Sequence, residues 1–167
     1  MPTPVYTPGQ VLGAADCNNW FMPKVAYKAA DTSRASTVTP ANDPDLTIPV
    51  VVNAFYAFQC YLFFEGSATV SQGLKINWVV STGTTLRYHA IFTDASNNQS
   101  TGVSYTATGT PTGGTNGAGS LRGMTMHGTL FTGSTAGSLT LQWCQNVNEA
   151  ATVTLHAQSY MMLSRMG

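Results

Sequence analysis

The chain contains very little charge. Only 8% of its 167 residues are Asp, Glu, Lys or Arg, and the formal net charge is zero, whereas about 25% charged residues is typical of globular proteins. No basic stripe is present, which excludes nucleic acid as a partner on electrostatic grounds. A surface with so little charge also gives little repulsion between copies, so we expect a protein that works inside an assembly.

Cysteine is scarce as well. The three thiols, Cys17, Cys60 and Cys144, are too few and too scattered for a disulfide framework. Cys60 and Cys144 lie inside strand patterns and are predicted to be small buried hydrophobes. Free thiols suit folding in a reducing cytoplasm. Residues 1–6 lack the basic and apolar regions of a signal peptide, so we expect a protein that is not secreted.

The sequence has no convincing membrane span. Residues 46–64 form a stretch of nineteen residues without a charge, close to the length of a transmembrane helix. This stretch contains Pro49, Asn53 and Gln59, and it is rich in β-branched and aromatic residues. We therefore predict two consecutive strands here and no membrane partner.

Thr, Gly, Ser and Asn are abundant, and apolar and polar residues alternate through most of the chain. Alternation with a period of two is the mark of strands with one buried face. Small residues in 133–137 and 147–150 predict turns between the last strands. About eight or nine strands are expected, in an all-β sandwich or barrel. The first is expected at 32–39 and the last at 151–165, with a turn at 42–45 and a flexible loop at 108–120. Residues 23–167 are predicted to form this domain, and residues 1–22, which begin with a Pro-rich stretch, an extended N-terminal arm.

Two segments, 61–64 and 160–163, are apolar on both faces. A sandwich strand should have a wet outer face, so something must cover the second apolar face. The cover is either a loop or the arm of the same chain, or a second subunit. We favour the subunit and predict a homo-oligomer contact. Its residues are Tyr61, Phe63, Tyr160 and Met162.

No motif indicates catalysis. Glu65 and Glu149 are the only Glu residues, and both stand beside turns rather than as a pair across a cleft. Asp43 and Asp45 could offer two oxygens to calcium, but the Gly and distal Glu of a dedicated loop are missing, so a turn cap is expected. No nucleophile elbow occurs. The sequence predicts that the protein is not an enzyme and uses no cofactor.

The histidines are a weaker candidate for a metal site. They lie in three separate predicted strands, at outward positions: His89, His127 and His156. A trimer could bring three copies of one of them to its threefold axis. Without other ligands in the pattern, we expect hydrogen-bonded or partly exposed side chains and no metal.

Two parts of the sequence resemble bacteriophage virion proteins. Residues 6–18 read Tyr6-Thr-Pro-Gly-Gln-Val-Leu-Gly-Ala-Ala-Asp-Cys-Asn18. This is similar to the short N-terminal segment of many phage tail-fibre and minor tail proteins, although Gly13 and Cys17 replace the more usual Thr and larger apolar residue. The C-terminal run resembles the end of small virion proteins of phages with actinobacterial hosts. The matching residues are Gly128-Thr-Leu130, Ala136-Gly-Ser-Leu-Thr-Leu-Gln-Trp-Cys-Gln-Asn146, Ser159-Tyr160 and Arg165. Asp43-Pro-Asp-Leu46 and residues 50–56 are similar to them as well.

Proteins of that type look like the trimeric jelly rolls of complement-type globular heads and tumour-necrosis-factor ligands. The resemblance implies a jelly-roll-like β-sandwich and a homotrimeric virion component made in the host bacterial cytoplasm. Its partners would be itself and other virion proteins of tail or capsid. The arm would attach it through Val11, Leu12 and Trp20, because large apolar side chains dominate such contacts.

A minor tail protein is the favoured function. Two alternatives stay open: a capsid decoration or head-fibre protein, and a lectin-like receptor-binding module that recognises host-surface glycans.

Overall fold

The computed structural model describes residues 7–14, 17–18, 22–69, 72–94, 96 and 98–167, and only the backbone of residues 101 and 102. These residues form twelve strands in two antiparallel sheets. Within these ranges no helix is long and apolar enough to cross a membrane. The strands in chain order are β1 (Lys24–Tyr27), β2 (Thr32–Arg34), β3 (Ala41–Val50), β4 (Phe55–Glu65), β5 (Leu74–Val79), β6 (Thr85–Thr93), β7 (Gln99–Thr106), β8 (Thr112–Gly113), β9 (Arg122–Phe131), β10 (Gly137–Gln145), β11 (Val153–Leu155) and β12 (Tyr160–Arg165).

The strand order is that of a jelly roll. The larger sheet runs β1-β12-β4-β9-β6-β7, and the smaller sheet runs β3-β10-β5-β8. The eight central strands, β3 to β10, can be numbered one to eight. The smaller sheet then holds the first, eighth, third and sixth side by side, and the larger sheet holds the second, seventh, fourth and fifth side by side. Two interleaved Greek keys produce this order. The predicted all-β, jelly-roll-like sandwich is confirmed, with β1 and β12 added to the larger sheet beside β4.

Strict alternation along the strands builds the core between the sheets. In β4 the side chains of Tyr56, Phe58, Cys60, Leu62 and Phe64 are all buried. Across the sandwich, the ring of Phe58 meets the edge of Trp78 on β5, with 5.2 Å between centroids. Edge-to-face packing of this kind adds to the free energy of burying the rings. Burial also raises the pKa of the Cys60 thiol, so Cys60 is an inert core residue, as predicted.

The strands that the sequence analysis missed or misplaced are mostly short. β1 was not predicted, and the predicted strand at 32–39 is confined to β2. The predicted loop at 108–120 contains β8, and the predicted strand at 151–165 is two strands, β11 and β12. They are separated by a turn in which Gln158 adopts a φ of 68°. A strand of four or fewer residues shows too little alternation to be recognised in a sequence.

The predicted turn at 42–45 is part of β3, at a point where its pairing with β10 shifts register. Pro44 cannot donate a ladder hydrogen bond, and it is accommodated because β3 is an edge strand. The long uncharged stretch divides between β3 and β4, as predicted.

A substitution at Gly128 on β9 would test the packing of this core. A Cβ atom built there would lie 2.1 Å from the carbonyl oxygen of Arg87 and 2.6 Å from the Cα of Tyr88. Because backbone atoms cannot move aside, we expect Gly128→Ala to lower the free energy of unfolding by about 3 kcal/mol or more. Gly123→Ala, on the same strand with open space around the new methyl group, is the matched control. Urea unfolding measures both, and equal midpoints would contradict the packing described.

Candidate assembly surface

The outer face of the larger sheet carries a continuous patch of large side chains, which we call the aromatic face. It comprises Val25, Tyr27, Tyr61, Phe63, Tyr160 and Met162. Strand register places Tyr27, Tyr160 and Tyr61 side by side across β1, β12 and β4. The rings of Tyr61 and Tyr160 stack with centroids 5.0 Å apart. The four predicted interface residues therefore lie together, and their place in a subunit contact stays a prediction.

Among the described residues, the members of the aromatic face are exposed or partly exposed. The side chain of Tyr27 is 66% exposed and that of Val25 is 56% exposed. Tyr61, Tyr160 and Met162 are partly exposed. The ring contacts of Tyr61 are with Tyr160 and with His127, both on the same sheet. The sequence analysis missed Val25 and Tyr27, although the alternation in Lys24-Val-Ala-Tyr27 was a signal that could have identified them.

The outer face of the smaller sheet has the opposite character. The side-chain amide of Asn77 donates to Gln142 at 2.9 Å, and that of Gln142 donates to Asn42 at 2.9 Å. Next to them the hydroxyl of Thr47 donates to Thr140 at 3.2 Å. These polar groups satisfy one another along the sheet and remain compatible with water. The two outer faces of the sandwich therefore differ sharply, and only the larger sheet presents a cluster of aromatic rings among the described residues.

Two of the three histidines that were predicted to point outward lie next to each other. His89 on β6 and His127 on β9 are directly opposite each other in the strand register. They line a shallow groove of about 370 Å³ beside the aromatic face. The Nε2 of His127 lies 3.4 Å from the hydroxyl oxygen of Tyr61. Within the described part of the chain, no group of three His, Cys, Asp or Glu side chains is placed to hold a metal ion.

The third histidine borders a separate cavity. His156 Nδ1 lies 3.2 Å from Asp31 Oδ2, and His156 Nε2 lies 3.7 Å from Glu65 Oε2. The cavity of about 430 Å³ is also lined by Phe63 and Leu121, so it opens next to the aromatic face. The backbone N–H of Ala157 donates to Asp31 Oδ1 at 2.7 Å. This bond, with a smaller contribution from His156, holds the pKa of Asp31 below its ordinary value of 3.8.

Asp43 has the capping role that its spacing predicted. Its Oδ1 accepts hydrogen bonds from the backbone N–H groups of Asp45 at 3.1 Å and Leu46 at 3.2 Å. The other oxygen, Oδ2, contacts the ammonium of Lys28 and the indole N–H of Trp143. The carboxylate is fully buried and occupied by donors of the protein. The burial of Lys28 was not foreseen, because a single Lys near a strand end gives no signal in a sequence.

Two of the three predicted attachment residues are exposed to solvent. Val11 is 90% exposed and Leu12 is 41% exposed. Trp20 lies outside the described residues. The attachment role of these residues, and the boundary between an arm at 1–22 and a domain at 23–167, stay predictions.

No protein-family model matches this sequence, and no curated protein matches it. Among solved structures, a chain in the infectious bursal disease virus Gt strain aligns over 99% of this chain and 47% of its own length, with 15% identity and a TM-score of 0.22. The VP2 subviral particle of the same virus aligns over 98% of this chain and 44% of its own length, with 10% identity and a TM-score of 0.19. The chain spans less than half of these neighbours. A likeness this weak assigns no function, and the jelly roll is established by strand order alone.

The Asp31 contacts predict a pH-dependent contribution to stability. Because the pKa of Asp31 is lowered in the folded state, its carboxylate stabilises the fold above its ordinary pKa of 3.8, and this contribution is lost as the pH falls through the lowered value. Asp31→Asn should therefore melt at a lower temperature than the wild type at neutral pH, with the gap closing in strong acid. Thermal melts across that range measure it, with Glu149→Gln as a control for losing one carboxylate. A gap independent of pH would contradict the assignment.

Proposed function

We propose that this protein is a structural component of a bacteriophage virion and that it assembles as a homotrimer through the aromatic face. The observation that carries the proposal is the contrast between the two outer faces. One is a polar ladder that needs no partner, and the other exposes Tyr27 and Val25 beside the stacked pair Tyr61 and Tyr160. A contiguous apolar patch of this kind marks an interaction surface.

The chemistry of the aromatic face suits contact with a second copy. Tyr and Met are enriched in the buried centres of protein interfaces, whereas charged residues are depleted there. None of its six members carries a charge. The formal net charge of the whole chain is zero, so copies approach one another without long-range repulsion.

The number of subunits and the virion setting come from the sequence resemblance. The C-terminal run is similar to small phage virion proteins that look like trimeric jelly rolls, and part of it is β12, which supplies Tyr160 and Met162 to the aromatic face. The jelly roll itself supports the proposal only weakly, because capsid, lectin and other domains share it. No catalytic step belongs to the proposed function.

Within the virion, a minor tail protein attached through residues 1–22 is the favoured place. The support is the likeness of residues 6–18 to the N-terminal segment of phage tail proteins. Val11 and Leu12 are exposed, as docking residues must be before they find a partner. A capsid decoration or head-fibre protein is the alternative, and electron microscopy of particles carrying a labelled copy separates the two.

A single charge on the aromatic face should disperse the assembly. Met162→Glu places a carboxylate in every copy of the proposed contact, and burying it would cost about 3 kcal/mol or more per copy. We expect light scattering to give about three times the 17.7 kDa chain mass for the wild type and the mass of one chain for the variant.

Thr47→Glu is the matched control, since Thr47 is an exposed residue on the opposite outer face and its change should leave the trimer intact. Circular dichroism confirms that both variants fold. A wild-type protein that is monomeric at micromolar concentration, or a trimer that Met162→Glu leaves unchanged, would refute the assembly through this face.

Deletion of residues 1–22 tests attachment separately. Since β1 begins at Lys24, the truncated chain keeps all twelve described strands. We expect it to fold and to form the same oligomer, yet to be absent from virions produced in a complementation assay. Incorporation at the wild-type level would show that the arm is not the attachment segment.

A lectin-like module is the second candidate, favoured by one observation. The ring of Tyr27, 66% exposed, extends the stacked pair Tyr61 and Tyr160 into an open platform on which a sugar ring could stack. A glycan array probed with the purified protein distinguishes the two. Binding that Tyr27→Ala abolishes would favour the lectin, since trimer formation hides this platform.

A further inference from the structure

Lys28 is completely buried between the two sheets. It follows β1 and continues the backbone pairing of the larger sheet: its N–H donates to the Ser159 carbonyl at 2.7 Å, and its carbonyl accepts from Gln158 N–H at 2.9 Å. Its side chain is 0% exposed and reaches Asp43 of β3, in the smaller sheet, with 2.9 Å between Nζ and Oδ2. Lys is almost never fully buried without a partner, so the contact with Asp43 accounts for the burial of Lys28.

The carboxyl group of Asp43 is held in an arrangement that favours attack on its carbon. Two backbone N–H groups, of Asp45 and Leu46, converge on Oδ1 at 3.1 and 3.2 Å. Paired N–H donors of this kind polarise a carbonyl and stabilise the negative charge that develops on the oxygen during addition. The indole N–H of Trp143 donates to the other oxygen, Oδ2, at 3.0 Å.

A second carboxylate stands where a proton relay is needed. Asp45 Oδ2 lies 3.7 Å from Lys28 Nζ, and the Asp45 side chain is 31% exposed. It therefore contacts both the buried amine and solvent. The hydroxyl oxygen of Thr32 accepts from Nζ at 2.7 Å and fixes the direction of the Lys28 side chain.

We propose that Lys28 and Asp43 condense into an intramolecular isopeptide bond that covalently joins the larger sheet to the smaller one. A proton passes from the Lys28 ammonium to Asp43 Oδ2, which replaces two buried charges with a neutral amine and a neutral acid. The Nζ lone pair then attacks Asp43 Cγ, and the carbonyl electrons move to Oδ1, where the N–H groups of Asp45 and Leu46 hold the oxyanion.

The remaining step releases water. Asp45 takes a proton from Nζ and delivers it to the Oδ2 hydroxyl, which leaves as a water molecule while the carbonyl at Oδ1 re-forms. One amine and one carboxylic acid give one amide and one water, so no oxidant, reductant or cofactor is required. Asp45 acts as general base and then as general acid, a role that contributes about a hundredfold or more to a rate.

The bond would reinforce the attachment of a short edge strand. β1 is an edge strand of four residues, and β12 is its one partner among the described strands. Residues 1–22 precede it directly, so tension on them reaches β1 first. A covalent bond one residue beyond Tyr27 would stop β1 from peeling away from the sheet.

The test is the mass of the purified full-length wild-type chain, measured after denaturation. We expect it to be lower than the mass of the sequence by one water molecule. Trypsin should fail to cut after Lys28 and should release a branched peptide in which residues 25–34 are joined to residues 35–75. Lys28→Arg should show the full mass of its sequence.

Lys24→Arg is the matched control, because Lys24 lies at the start of β1, just before Lys28 in the chain, and its Nζ donates to the carbonyl of Pro49 instead. Its change should leave the water loss intact. Asp45→Asn should form the bond about a hundredfold more slowly, so that newly purified protein is largely unlinked. A folded wild-type chain with its full mass and normal cleavage after Lys28 would overturn the proposal, since the pair would then be an ion pair only. Water loss that persists in Lys28→Arg would also overturn it.

Discussion

The outer face of a sheet must either be polar enough for contact with water or be covered. The outer face of the larger sheet of this protein is poorly suited to contact with water. Its edge strand β1 presents Tyr27 and Val25 to solvent, and Tyr61 stacks on Tyr160 across the neighbouring strands β4 and β12. Apolar surface left in water costs about 25 cal/mol for each Å², so covering this face provides a driving force for association. The polar ladder of Asn77, Gln142 and Asn42 on the other sheet creates no such demand. This difference between the sheets is the basis of the proposal that copies associate through the larger sheet.

In contrast to the apolar aromatic face on its outside, the sandwich contains a concentrated polar network inside. Asp43 contacts Lys28 and Trp143, and the guanidinium of Arg34 lies over the Trp143 ring, 4.1 Å from its centroid. Arg34 also donates to the carbonyls of Ala41 and Asn42, so it fastens β2 to the start of β3. Few charged residues exist in this chain, and Lys28, Asp43 and Arg34 are used to join the two sheets. The body of the sandwich, by contrast, is held by apolar packing of rings such as Phe58 and Trp78.

Much of the fold could be predicted from the sequence, because long strands such as β4 and β6 alternate over nine or more residues. The four predicted residues of the aromatic face lie together for the same reason, since a strand with two apolar faces is visible without coordinates. β1 was missed because four residues give a weak periodic signal, and with it Val25 and Tyr27. The buried Lys28 and the pairing of His89 with His127 could not be predicted, because both depend on which strands become neighbours.

The central claim is that sister subunits cover the aromatic face, and the reactivity of Tyr27 tests it most directly. In a single chain the Tyr27 side chain is 66% exposed, whereas a subunit contact on this face would bury it. Hydroxyl-radical footprinting, read by mass spectrometry, should show slower oxidation of Tyr27 in the native protein than in the Met162→Glu variant, with Met166, which is 48% exposed, as the internal reference for radical dose. Rapid oxidation of Tyr27 in the native protein would contradict the claim, because the face would then be open to water.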